Sequence, residues 1–221
     1  MSYTVTGIGS AYAGGGSGPS SASVTFTPVI GDYYVIAADG QSAANPLTVS
    51  VSAPFGILVA EQPNTNTPFA LLAGWTATTT ASTTATVSSP GTGGWGMAVL
   101  HISGAASVAV DGSNGFYNLT AVSSQAFPAI TPLGTGRLWI GVGMNNWGSW
   151  TLTPTTSGSF TFQSATTTLG APLYDTVYWY ELPSATAYAP TISSTSADIL
   201  AGVEVLIYGA AGTQIVMMPR F

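Results

Sequence analysis

The sequence predicts an all-β chain, an antiparallel jelly-roll or lectin-like β-sandwich built from two pseudo-symmetric halves. Three observations predict it. Runs of β-branched and aromatic residues recur at strand length, broken by Gly, Pro, Asn and Ser. No 11-residue window sustains the three-to-four spacing of an amphipathic helix. A stretch near residue 90 returns, ungapped, 105 residues later.

In chain order, AGGGSGPSS (13–21) packs nothing and is costly to order, so residues 1–21 are expected to form a flexible arm. Strands are expected at 23–28, 33–38, 47–52, 57–62, 69–75, 84–89 and 96–103, then at 137–143, 149–154, 159–164, 174–182, 191–195 and 201–209. Val24 and Phe26 alternate with Thr25 and Thr27, and Leu47, Val49 and Val51 with Thr48, Ser50 and Ser52. That period of two marks a strand with one buried face.

TVSSPGTGGWGMAVLHISGA (86–105) lies over TISSTSADILAGVEVLIYGA (191–210), with Thr86/Thr191, Ser88/Ser193, Ser89/Ser194, Ile102/Ile207, Gly104/Gly209 and Ala105/Ala210 identical. Pro28/Pro132, Gly31/Gly136 and Trp75/Trp179 recur at nearly the same offset. The halves are then 22–110 and 126–212, with 111–125 joining them and 213–221 left as an apolar tail. Halves this small and this poor in charge would each expose much apolar surface, which favours one interleaved sandwich over 22–212 rather than two in tandem. Gly104 and Gly209 end the repeated segment, where a left-handed turn would call for glycine.

Charged residues are 5% of the 221, against roughly 25% in an ordinary domain. There is no Lys, the bases are Arg137 and Arg220, and the net charge is −6. Nucleic acid and anionic membrane surfaces are therefore not expected partners, because both demand clustered cations. With no Cys and one His, thiolate chemistry, zinc sites and a His-centred triad lack material. No signal peptide and no apolar run of membrane-spanning length is found.

His101 aligns with Leu206 and reads as structural. Asp32, Asp39, Asp111 and Asp198 stand beside Gly or turn-forming residues and read as turn aspartates. Glu181 and Glu204, with Asp175 as a third, are the strand acids that could form a glycosidase pair. Trp75, Trp139 and Trp179 read as core. Trp95, Trp147 and Trp150 in Gly-rich stretches, with Phe116 and Tyr117 in the joining segment, are candidates to plug the fold, meet a partner or stack on a sugar. Met217, Met218, Arg220 and Phe221 in the tail are candidate contacts to a neighbouring chain.

VTGIGSAYAGGGSGPSSASVTFTP leading into GDYYVIAADG, with GGWGMAVLHISGA, GRLWIGVGMNN and AGVEVLIYGA at the ends of the halves, resembles the small all-β virion proteins of tailed phages, above all minor tail proteins of phages of actinobacteria. The resemblance implies a jelly-roll or lectin-like sandwich without cofactor and without catalytic residues, located in the virion. Its partners would be other virion proteins, copies of itself and a host-surface glycan. The expectation is thus a non-enzymatic minor tail protein, with capsid decoration, a carbohydrate-binding adhesion module and a glycosidase using Glu181 and Glu204 as the alternatives. Truncation after Gly212 should leave the thermal melt near that of the parent while oligomer or particle incorporation falls; a truncated chain that unfolds yet still assembles would place the tail in its own core.

Overall fold

Two kinds of strand are written into this chain. β2 (Ser20–Phe26) and β7 (Thr83–Ser89) alternate Thr or Ser with Val, Ala and Phe, and bury every second residue. β3 (Tyr33–Ser42), β6 (Thr67–Thr76) and β8 (Trp95–Ser103) are apolar almost without interruption, and both of their faces are buried. A strand of the second kind needs a layer on each side of its sheet. The computed structural model describes residues 3–13, 20–42, 49–61, 67–90, 94–104, 107–145, 150–153, 157–164 and 173–210, and every regular element within them is a β-strand.

In the first half, β1 (Thr4–Ala13), β4 (Ser50–Val51) and β5 (Gly56–Glu61) complete two antiparallel sheets. The larger has the order β1-β8-β3-β6-β5, the smaller β2-β7-β4. Val24, Phe26, Ala85 and Val87 of the small sheet close on Tyr34, Ile36, Leu71 and Trp95 of the large one. The second half has β9 (Ser107–Ala126), β10 (Arg137–Asn145), β11 (Trp150–Thr153), β12 (Gly158–Ser164), β13 (Leu173–Leu182) and β14 (Thr191–Ala210). Its order is β11-β14-β10-β13-β12, with β9 also on β14.

The two halves share one ladder. Tyr33 faces Ile102 as Leu138 faces Ile207, Val35 faces Gly74 as Ile140 faces Trp179, and Gly9 faces Val99 as Asn114 faces Glu204, all at the 105-residue offset. Residues 191–194 of β14 pair with β11 and the end of β9, as β7 pairs with β4 and β2; residues 200–210 pair with β10 and the start of β9, as β8 pairs with β3 and β1. Strands separate in the first half are thus continuous in the second. A one-residue bulge also recurs, at Ile8 in β1 and Asp111 in β9.

Several expectations are corrected. Residues 4–13 of the expected arm are β1, held by its ladder to β8, while 14–19 lie outside the described residues. The joining segment 111–125 is the body of β9. No ladder crosses between the halves among the described residues, so the expected interleaved sandwich gives way to two tandem ones. The physical premise stands and its consequence differs: the apolar surface each half would expose is buried against the other half. Val35, Ala37, Leu72 and Leu100 meet Ile140, Val142, Val177 and Val205 in one core between the two large sheets. The contact is close to twofold, since β5 lies beside β9 and its counterpart β12 beside β1. Gly104 takes a positive φ of 95°, whereas Gly209 is a ladder residue of β14 opposite Val108.

The turns entering β3 and β10 turn on equivalent glycines, Gly31 at φ 89° and Gly136 at φ 66°. A Cβ at either meets no neighbour, so the backbone alone carries the cost of replacing it. Gly31→Ala and Gly136→Ala should each lower unfolding free energy by about 1 kcal/mol, the price of a left-handed L-residue. Urea titration checks this; an unchanged midpoint in both variants would show that these turns relax freely.

Candidate cleft between the two halves

Most of the expected contact residues face inward or lie beyond description. Trp95 has no solvent exposure and meets Phe69 edge-to-face at 6.2 Å, so it plugs its own sandwich and offers nothing to a partner or glycan. Phe116 lies over Gly202 and against Phe127 (5.1 Å), which in turn meets Trp139 (5.5 Å). Tyr117 is half-buried and its hydroxyl is shut off from solvent. Trp150 opens β11, with its side chain outside the described residues, as are Trp147, Met217, Met218, Arg220 and Phe221 altogether. Trp75 and Trp139 are buried as expected, but Trp179 is only half-buried.

His101 stacks on Tyr34 at 4.9 Å, with its Nε2 2.6 Å from Asp32 Oδ2. Of the four expected turn aspartates, Asp32 alone precedes a strand. Asp39 is buried within β3, and Asp198 lies in β14 opposite Val122. Asp111 occupies the β9 bulge, where its Oδ2 accepts from Arg137 Nε at 2.8 Å and Leu133 N at 3.0 Å.

The paired-carboxylate reading fails on geometry. Glu181 lies opposite Leu138 on β10, and Glu204 opposite Gly141. Residues facing each other across a ladder share a face, and positions 138 and 141, three apart, lie on opposite faces. Glu181 therefore stands on the side of the inter-half core, and Glu204 points into the core of the second sandwich. No single substrate can lie between them.

Glu204 replaces Val99 of the first half and has no solvent exposure. Its Oε2 accepts from Trp139 Nε1 at 2.5 Å, and its Oε1 has no hydrogen-bond partner. Burial pushes this carboxyl up to about 7, against the indole hydrogen bond, which pulls it down. Burial, with the neighbouring Tyr180 and Glu204 adding to it, likewise raises Tyr188 to about 12. A carboxyl closed off by Trp139, Phe127 and Leu206 is core structure, beyond reach of a substrate.

The open site is elsewhere. Where edge strand β1 of the first half passes β12 and β13 of the second, a cleft of about 420 Å³ is lined by Tyr3, Thr4, Ser157, Trp179 and Glu181 over a floor that includes Leu138. Tyr3 Oη donates to Gly136 O at 3.1 Å and accepts from Gly209 N at 2.7 Å, which ties the start of β1 to the second half. Burial pushes its phenol above the ordinary 10. Gly158 faces Trp179 across the ladder; a Cβ there would sit 2.3 Å from the indole, so only glycine lets the ring lie flat on β12. Ser157 Oγ donates to Trp179 O at 3.1 Å. Trp179, expected in the core, and Tyr3, expected in the arm, thus line one cleft; Val5/Val110, Gly7/Gly112 and Tyr12/Tyr117 extend the 105-residue repeat through β1 and β9 and carry the sequence signal for these strands. Among the described residues, no cluster of His, Asp and Glu could hold a metal ion.

Fold and cleft together define an all-β protein of two equivalent sandwiches packed back to back, with an aromatic and acidic cleft among the described residues of their seam. No protein-family model, curated protein or solved structure matches the chain.

The buried carboxyl makes stability depend on pH. Between its ordinary value of 4.5 and about 7 the folded protein keeps a proton that the unfolded chain has lost. Stability should therefore fall as pH rises through this window, by about 3 kcal/mol in all, and level off above it. Glu204→Gln should remove that contribution, and denaturant midpoints at pH 5 and pH 8 compare the two. A parent slope equal to the variant's would show that the carboxyl does not titrate inside the fold.

Proposed function

We propose that this chain is a non-enzymatic structural protein of a larger assembly, a phage virion, with the tail as its place and the capsid surface as the alternative. One observation carries the assembly reading: among the described side chains, no Asp, Glu or Arg is exposed. Asp39 and Glu204 are buried, Asp32 faces His101, Asp111 holds Arg137, and Glu61 and Glu181 are half-buried. Val29, Ile30, Leu119 and Leu133 are meanwhile more than half exposed. Isolated soluble proteins keep apart by surface charge. A surface with so little of it is suited to permanent cover by copies of itself and by other virion proteins. The virion part of the reading rests on the resemblance of the strand ends to phage tail proteins. The order β1-β8-β3-β6 over β2-β7-β4 supports reading each half as a jelly roll, with β5 moved onto the larger sheet.

Light scattering of the purified chain at increasing salt tests the assembly. A closed oligomer whose mass is unchanged from 50 mM to 1 M NaCl is expected, because apolar contacts are not screened. A monomer at about 100 μM throughout would overturn it. Mass spectrometry of purified particles tests the location, and the chain's absence from them would remove the virion.

A further inference from the structure

The duplication supplies an internal control for the cleft. Each lining position has a counterpart 105 residues away in the ladder, at the other end of the near-twofold seam. Trp179 corresponds to Gly74, Leu138 to Tyr33, Glu181 to Thr76 and Tyr3 to Val108. At the counterpart the Tyr33 ring lies across Gly74, its hydroxyl 2.0 Å from where a Cβ would stand, with Leu58 beside it at 3.1 Å. Tyr33 is buried. At this end of the seam a buried ring thus fills the space over a glycine. At the other end the ring has moved to β13, the floor is Leu138, and a carboxylate and a second aromatic stand at the rim.

A seam needed only for packing would be filled at both ends, and polar groups are not placed beside an indole without cost. We infer that this cleft is a binding site for a neutral pyranose sugar of an external glycan. A half-open indole offers a flat apolar face to the C–H face of a pyranose ring. Glu181 Oε2 already accepts from Tyr3 N at 3.4 Å, and the remaining lone pairs of the carboxylate are left to accept from a sugar hydroxyl, a stronger contact than a neutral acceptor makes. Thr4 and Ser157 belong to the same lining, with the Ser157 hydroxyl already donating to Trp179 O. Among the described residues no Arg lines the cleft, so an acidic sugar would meet Glu181 uncompensated and is disfavoured. The volume of about 420 Å³ falls within the range of small-ligand clefts and suits a terminal sugar or a disaccharide. The assembly reading is not needed for it, since the described residues that line the cleft all belong to one chain.

The test uses the full chain with methyl glycosides of glucose, galactose, mannose and N-acetylglucosamine as probes, followed by saturation-transfer NMR. Transfer to the ring protons of at least one glycoside is expected, with Glu181→Gln binding about tenfold more weakly at an unchanged melting temperature. The double substitution L138Y/W179G copies the filled end and is expected to abolish transfer. Should that variant fail to fold, Glu181→Gln still decides, because the glutamine keeps a side-chain oxygen to accept from Tyr3 N, as Glu181 Oε2 does at 3.4 Å. Absence of transfer for all four probes overturns the site, and so does binding that Glu181→Gln leaves undiminished. Neither result bears on oligomeric mass, so a failure here is distinct from a failure of the structural role.

Discussion

The burial of one large sheet against the other is the interaction on which the remaining structure depends. Each central strand carries apolar residues on both faces, so neither half could stand in water with only its small sheet in place. Val35, Leu72 and Leu100 from one side and Ile140, Val177 and Val205 from the other are fully buried in the shared core. Each such side chain contributes roughly 1.5–3 kcal/mol relative to exposure. The seam also settles the edge strands. β1 and β5 are edges of the first large sheet, and they lie beside β12 and β9 of the second. Edges that would otherwise invite pairing with another chain are covered by the second half.

Two equivalent halves need not solve the same local problem in the same way. The first buries Asp39 within β3 and sets a partly exposed pair near the end of the sheet, where His101 meets Asp32 beside Tyr34. The second has Leu206 at the position of His101, and sets Glu204 against the Trp139 indole where the first half has Val99. Asp32 itself corresponds to Arg137, which reaches back to Asp111 in the β9 bulge and lies over the Tyr208 ring at 4.6 Å. Charge and hydrogen bonding have been redistributed while the ladder stayed fixed, because backbone pairing is indifferent to the side chains it carries. The same freedom filled one end of the seam and left the other open.

The strands legible in the sequence were those with their own signal. β2 and β7 alternate, and β3, β6, β8 and β10 are dense in Val, Ile, Leu and aromatics. β1 and β9 share one feature: Gly, Ser, Asn and Thr make up about half of each, and their strand state is imposed by the ladders to β8 and β14, the second broken by irregularities between 118 and 124. The division of the chain into two sandwiches was also open to reading. Continuous apolar runs such as YYVIAA and RLWIGVG require sheets covered on both faces, and the sparse charge that argued for interleaving is met equally well by packing two sandwiches together.

By itself, then, the sequence determined the all-β class, the 105-residue repeat, the poverty of charge and the types of chemistry left without material. Each is a property of composition or of spacing along one dimension. Tertiary structure alone decided which face each acid occupies, and so set Glu181 and Glu204 apart. It likewise turned Trp95 and Phe116 inward and left Trp179 half-open beside Tyr3, a residue 176 positions away in the chain. Such placements follow from the parity of ladder pairing and from how one sheet lies on another, and neither is encoded within the reach of a single strand.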